Sequence, residues 1–353
     1  MSFLWHYSKF AACVGVALAA LLVLGAGEPA AEEDPLKQYE EKTDRAVDLG
    51  LKFLASQQQN DGAFRGKWTH NTGIASLCVM AFLARGYTPG TGPHGEVINK
   101  GIDYVLSAQN KDGMLLGREK SHGGMYSHSI STLLLSEVSG MVDGERQKKI
   151  DEALPKALQI ILSAQKLDKN NRFDGGWRYN SNSRDSDISC TGWPLMALRS
   201  ARNNGAAVPK DAIENGLKFV LNCRSGDGGF AYQPGSGSGV ARTGTALLCL
   251  ELCGMHESKE AQGAAEYLLK HGHDNSWFYY GIYYCAQGMY QIGGRYWQEY
   301  GPSIFKKLLE RQSQDGSWPD NSGGGGRAGK SYSTAMSVLA LSVPYCQLPI
   351  YQR

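Results

Sequence analysis

Two kinds of apolar pattern alternate along the chain. The first is amphipathic: "AVDLGLKFLASQ" from Ala46, "VINKGIDYVLSAQ" from Val97, "ALPKALQIILSAQ" from Ala153, "AIENGLKFVLNC" from Ala212 and "SIFKKLLERQ" from Ser303. In these runs apolar residues recur at the i, i+3, i+4, i+7 spacing of one helix face. The second is apolar nearly all round: "TGIASLCVMAFLA" from Thr72, "SISTLLLSEVSG" from Ser129, "TGWPLMALRSA" from Thr191, "TGTALLCLELCG" from Thr243 and "STAMSVLALS" from Ser333. A one-sided helix can face water, whereas a helix apolar on every side must be enclosed. No segment alternates with period two for long enough to demand a sheet.

A short punctuation recurs between the two kinds of helix. It reads "DGAF" at 61–64, "DGML" at 112–115, "DGGW" at 174–177, "DGGF" at 227–230, "DNSW" at 274–277 and "DGSW" at 315–318. The aspartates lie 51, 62, 53, 47 and 41 residues apart, the sign of a repeated unit. Each unit is an amphipathic helix, an Asp-Gly turn, a polar Gly-rich loop and an apolar helix. Six units predict an all-α fold, a single (α/α)6 toroid with the apolar helices inside and the amphipathic ones outside.

The toroid is expected over residues 43–345, after a linker at 28–42 and before a tail at 346–353. Residues 1–27 read differently. Lys9 precedes an uncharged, mostly apolar run from Phe10 to Gly27, followed by "EPAAEED". This is the plan of a secretory signal peptide, or of an uncleaved anchor that would hold the chain at a membrane through residues 10–27. The main domain is therefore expected outside the cytoplasm, periplasmic or secreted.

With 36 basic and 34 acidic residues, a formal charge of +2 argues against a nucleic-acid partner. Seven cysteines follow the leader, an odd number, several inside apolar runs, so buried free thiols are expected rather than a disulfide framework. "CLELCGMH" sets Cys249, Cys253 and His256 near one another, and core packing is the expectation there.

"QQQNDGAF", "QNKDGML" and "QSQDGSW" resemble the Gln-x3-Gly-x-Trp repeats of squalene and oxidosqualene cyclases and of protein prenyltransferase β-subunits. The resemblance spans about residues 43–345 and implies the same toroid. Against a cyclase, "RDSDISCTGW" at 184–193 resembles the Asp-x-Asp-Asp motif that protonates an alkene or epoxide. Asp185 and Asp187 match its first and middle acids, and Ile188 replaces the last. The resemblance implies Asp187 as proton donor. Against a prenyltransferase, Asp187 and Trp193 match, but Ser189 and Ser333 stand where zinc ligands belong. Serine hydroxyls are poor zinc ligands, so no metal and no other cofactor is expected.

The plain reading of the same aspartates is helix capping, since Asp or Ser before an apolar run is a common N-cap. Both roles stay open here. In a ring, the entries of the inner helices border one mouth, which would gather residues far apart in sequence. Tyr280 and Tyr284 share one helix face and could bring aromatic surface to a carbocation or apolar ligand. "GGGRAGKS" at 324–331 fits a phosphate-loop pattern but lacks the preceding strand, so nucleotide hydrolysis is rejected. Arg327, Lys330 and Arg242 could still hold an anion at a helix entry, with Tyr332 beside them. His128 is a candidate proton carrier at the rim.

The expected function is an exported, terpenoid-cyclase-like toroid that binds an isoprenoid or other apolar small molecule or lipid, with proton-initiated cyclase or isomerase chemistry as one form. The alternatives are a non-catalytic binding or scaffold toroid, or a polysaccharide lyase or hydrolase. The last needs paired carboxylates across the cavity.

Overall fold

The computed structural model describes residues 35–67, 69–118, 124–320 and 328–352. The expected leader, residues 1–27, lies outside the described residues, as does Arg327. Twelve α-helices run through the described residues. The outer six are α1 (Glu40–Gln57), α3 (Gly95–Ser107), α5 (Gly144–Ala164), α7 (Lys210–Asn222), α9 (Lys259–His271) and α11 (Gly294–Arg311). The inner six are α2 (Thr72–Ala84), α4 (Met125–Val138), α6 (Ile188–Asn203), α8 (Val240–Leu252), α10 (Phe278–Ile292) and α12 (Lys330–Leu341).

Each inner helix packs on the next, and α12 returns to α2, which closes the ring. Each outer helix leans chiefly on the inner helix of the preceding unit, α3 on α2 through α11 on α10, and α1 on α12. Burial follows the apolar patterns: every residue of α2 and all but Tyr126 of α4 are sealed, while α1 buries only one side. Among the described residues, none of the helices is long and apolar enough to cross a membrane.

The repeated turn has a defined job. The amides of Gln58, Gln109, Gln165 and Gln312 each donate to the glycine carbonyl of their own turn and to a carbonyl of the following outer helix. Gln312 reaches Ala46 at 2.7 Å and so ties the last unit to the first. The turn glycines run close under that helix: a Cβ on Gly175, whose φ is +81°, would sit 2.3 Å from Asn215 O. No L side chain fits that approach, and the left-handed φ excludes it again.

Two bounds differ from the sequence reading. Helix α1 begins at Glu40, inside the expected linker. Residues 346–352 pack on the ring rather than trailing from it, with Leu348, Ile350 and Tyr351 buried. All seven cysteines from Cys78 to Cys346 are free thiols, five of them buried.

Candidate functional site

The inner helices start in a common register. The amide of the large apolar residue in the turn donates to a side chain of the following inner helix: Trp177 to Thr191, Phe230 to Thr243 and Trp318 to Thr334. In the second unit Leu115 N donates to His128 Nδ1 at 3.1 Å. His128 thus occupies the threonine position. Its Nε2 lies 3.0 Å from Ala157 O, and burial lowers its pKa to about 4. It is a neutral, sealed ring on the outward side of α4, and this corrects the reading of it as a proton carrier at the rim.

The segment 184–193 meets its neighbours through Arg178, just after the third turn. Asp187 is fully buried and forms the N-cap of α6. Its Oδ1 accepts from Cys190 N at 2.8 Å and from the Ser189 hydroxyl at 2.6 Å. Its Oδ2 accepts from Arg178 Nη1 at 2.5 Å. Asp185 takes the same guanidinium through Nε at 3.0 Å and also accepts from Gln233 at 3.1 Å. Arg178 further donates to the Tyr232 hydroxyl and lies over the rings of Tyr179 and Tyr232. Both oxygens of Asp187 therefore face donors: a guanidinium, a backbone amide and a hydroxyl.

The loops also cap the helix starts. Met125 N, at the start of α4, donates to Tyr179 O, and Ile188 N, at the start of α6, donates to Tyr232 O, both at 3.0 Å. Orphan amides of one inner helix are thus satisfied by the turn of the next unit. Lys169 strengthens the same corner. Its buried ammonium donates to Gly176 O at 3.0 Å and to Ser186 Oγ at 3.2 Å, and burial lowers its pKa to about 8.

Inside this rim, Tyr126, Ser189, Tyr280 and Tyr332 keep partial solvent contact, while the residues on either side of each are sealed. From that pattern we infer a recess at the ring's mouth, lined by these four side chains. Burial pushes the phenols of Tyr126, Tyr280 and Tyr332 up, with smaller upward contributions from Tyr280 on Tyr126 and from Tyr332 on Tyr280. The Tyr280 and Thr245 hydroxyls lie 2.9 Å apart. Deeper down, Tyr284 packs 4.8 Å from Tyr280 and 5.4 Å from Trp193, and Trp193 stacks on Tyr283 at 5.5 Å. The Tyr284 hydroxyl is buried without a hydrogen-bond partner. Such a group has a donor and acceptor to offer to whatever enters.

The structure brings Asp185, Asp187, Trp193, Tyr280, Tyr284 and Tyr332 to this recess or its rim. Of the proposed anion site, Arg327 lies outside the described residues, and the two described members are engaged separately. Lys330 is exposed and paired with Asp315 Oδ2 at 3.0 Å, on the turn. Arg242 donates to Ser238 O in its own helix entry at 3.2 Å. In "CLELCGMH", His256 Nδ1 lies 2.6 Å from Glu251, and burial drives the Cys249 thiol far up. Among the described residues, no group of three or more His, Cys, Asp or Glu side chains is placed to hold a metal ion.

Sequence reasoning passed over Tyr126, Arg178, Tyr179 and Tyr232. A register signal existed. Tyr179 and Tyr232 each stand two residues after the large aromatic of their turn, Trp177 and Phe230. Tyr126, Ser189 and Tyr332 each stand two residues before the position that bonds the turn, at His128, Thr191 and Thr334.

The arrangement has relatives. The family model of the prenyltransferase alpha-alpha toroid domain matches residues 5–175 and 155–332. No curated protein matches the sequence. Among solved structures, the type II terpene cyclase MstE from Scytonema is similar at 13% identity, with 87% of this chain and 99% of that chain covered and a TM-score of 0.55. A variant of that cyclase bound to its substrate, geranylgeranyl dihydroxybenzoate, is similar at 12% identity, covering 86% and 98%, with a TM-score of 0.54. A glycosidase is similar to the same degree, at 12% identity, covering 89% and 99%, with a TM-score of 0.58. At these identities the solved structures speak for the fold alone. The repeated turns, the closed double ring of helices and the family match agree: the chain belongs to the prenyltransferase alpha-alpha toroid domain family.

Proposed function

We propose that the chain binds an isoprenoid or similar apolar ligand in the recess at the mouth of the inner ring. The observation that carries this reading is the aromatic lining: Tyr126, Tyr280 and Tyr332 on three inner helices, over a floor of Tyr284 and Trp193. Ligand sites are typically apolar and aromatic with a few polar groups that fix orientation. The bare Tyr284 hydroxyl supplies one such group, and the charge of Arg178 is already occupied by Asp185 and Asp187. Binding of a prenyl substrate by the similar cyclase supports the same class of ligand.

Within this reading Asp187 holds the rim together rather than donating a proton. Alkene protonation needs a carboxyl kept protonated, and Asp187 faces a guanidinium, an amide and a hydroxyl. Asp185 and Asp187 share one guanidinium on one side of the mouth, an arrangement that does not flank a glycosidic bond from two sides. Export of the domain remains part of the proposal, supported by the apolar run from Phe10 to Gly27, and N-terminal sequencing of the mature protein tests it.

The binding test begins with mass spectrometry of lipids that co-purify with the chain, followed by titration with farnesol, geranylgeraniol and squalene. Tyr280→Ala with Tyr332→Ala should weaken binding at least about tenfold, roughly 1.4 kcal/mol. Failure of the wild type to retain or bind any of them would sink the reading. Turnover of squalene that disappears in Asp187→Asn would restore Asp187 as an acid.

A further inference from the structure

The face of the ring opposite the mouth carries a pocket of about 580 Å³, within the usual range for ligand sites. It lies between Tyr290 and Gln291 at the end of α10, Trp297 on α11, and Tyr351 and Gln352 after α12. Three of its seven lining residues are aromatic, two are carboxamides and none is charged. An anion or a metal ion would find no counter-charge there. Five of the seven keep contact with solvent, and Gln352 is exposed. A hydrocarbon gains little from so open a site, because burial is what holds it.

The aromatic wall is fixed in place. The Trp297 indole lies flat on its own helix, where a Cβ on Gly301 would stand 3.1–3.2 Å from three of its ring atoms. Tyr290 and Phe305 meet it edge to face at 5.2 and 6.1 Å. The Tyr351 hydroxyl is taken by Tyr283 at 2.6 Å, and Gln291 Nε2 donates to Tyr351 O at 3.3 Å. Polar capacity remains at the edge. Gln352 Nε2 donates to Gln347 O at 3.1 Å. Among the described residues, the Gln352 amide oxygen and the Trp297 indole N–H have no hydrogen-bond partner. Gly293 leaves room beside them, since a Cβ there would meet only Tyr290 O, at 3.6 Å.

We propose that this pocket is a second binding site, and that its ligand is an uncharged pyranoside. Such a ring presents an apolar C–H face that lies on an indole, and hydroxyls that both donate and accept. Trp297 is its platform, and its hydroxyls take the indole N–H and the Gln352 oxygen. The hydroxyls that do not reach the protein stay in water, which suits a half-open site. The pocket lies at the opposite end of the ring from the recess and does not depend on the ligand proposed there.

The experiment follows the indole N–H resonances of the full chain by NMR, with Trp297 assigned by its absence from Trp297→Phe. The methyl pyranosides of glucose, galactose, mannose and N-acetylglucosamine are titrated in turn, with cyclohexanol as a ring of similar size that lacks their hydroxyls. At least one pyranoside should shift the Trp297 resonance saturably, and cyclohexanol should not. Gln352→Ala, at an exposed position, should keep the wild-type melting temperature and weaken that binding at least about threefold. Trp297→Ala, once melting shows it folded, should weaken it at least about tenfold, and Trp297→Phe, which keeps a ring without the N–H, by less. No saturable shift of Trp297 with any of the four pyranosides overturns the proposal. So does a cyclohexanol shift as large as theirs, which would make the pocket an apolar ring site, and so does binding that Gln352→Ala leaves unchanged.

Discussion

Asp187 and Asp185 touch the same guanidinium, yet their surroundings give them unequal weight. Asp187 has no solvent exposure and also caps α6, whereas Asp185 is 41% exposed. Removing a buried partner leaves a charge uncompensated, while an exposed pair is screened by water. Asp187→Ala should therefore lower stability by roughly 2–4 kcal/mol, combining the lost cap with the lost ion pair. Asp185→Ala should cost under about 1 kcal/mol. Urea unfolding followed by circular dichroism checks this, and equal losses at the two sites would contradict the assignment of Asp187 as the structural anion. The residue scale was only partly legible in the sequence. The cap was readable because Asp before an apolar run is a local signal. Its salt bridge was not, because Arg178 sits in an ordinary-looking turn and acquires its meaning only when that turn folds back on the entry of α6. His128 misled for a related reason: a histidine two residues from a tyrosine reads as polar surface, while the ring places it where other units carry a threonine.

At the scale of the elements, the turn between helices is what the repeat encodes. At four of the six turns its glutamine joins the turn's glycine carbonyl to the next outer helix, while aspartates such as Asp61, Asp227 and Asp315 accept from the backbone of their own turn. This part was legible in advance, since a requirement repeated along the chain leaves a repeated trace. The contact also separates two glycines that share a left-handed backbone. Gly175 has φ +81° and a Cβ there would meet Asn215 O at 2.3 Å, whereas Gly205 has φ +88° and open space. Gly205→Ala should cost about 1–2 kcal/mol, the conformational penalty alone. Gly175→Ala adds overpacking against backbone and should cost roughly 2–5 kcal/mol. Thermal or urea unfolding distinguishes them, and a Gly175→Ala no worse than Gly205→Ala would show that the turn does not seat α7 through this approach. The segment 346–352 has no such trace. Its partners are Glu137, Tyr283 and Gln291, and Ile350 lies 213 residues from the glutamate that accepts its amide. No local pattern announces a contact of that range, so the sequence reads as a tail where the structure has a plug.

Across the whole molecule, closing the ring and then closing its base concentrates polar groups in a few buried places, and Glu137 is the one that couples the base to pH. Its oxygens accept from the Ser200 hydroxyl and from Ile350 N, among the neighbouring phenols of Tyr283 and Tyr351. Burial raises its pKa from 4.5 to about 7, against the smaller downward pull of the two hydrogen bonds. Between those values the folded chain keeps a proton that the unfolded chain has released. Stability therefore falls as pH rises through that window and levels off above about pH 7. The loss is on the order of 3 kcal/mol at most, since a tenfold change in proton affinity is worth about 1.4 kcal/mol. His128 acts in the other direction. It stays neutral in the fold, with its pKa lowered to about 4, so stability falls as pH drops below the ordinary histidine value of 6.5. The two windows overlap between about pH 4.5 and 6.5, where the two effects oppose each other and nearly cancel. Glu137→Gln isolates the first effect, because a neutral amide can still accept from Ile350 N and donate to Ser200. At pH 8 the variant should unfold at a higher urea concentration than the wild type, and by pH 5 that advantage should have shrunk. An advantage that stays constant from pH 5 to 8 would mean that Glu137 does not titrate across this range, and that the plug is held without regard to its charge.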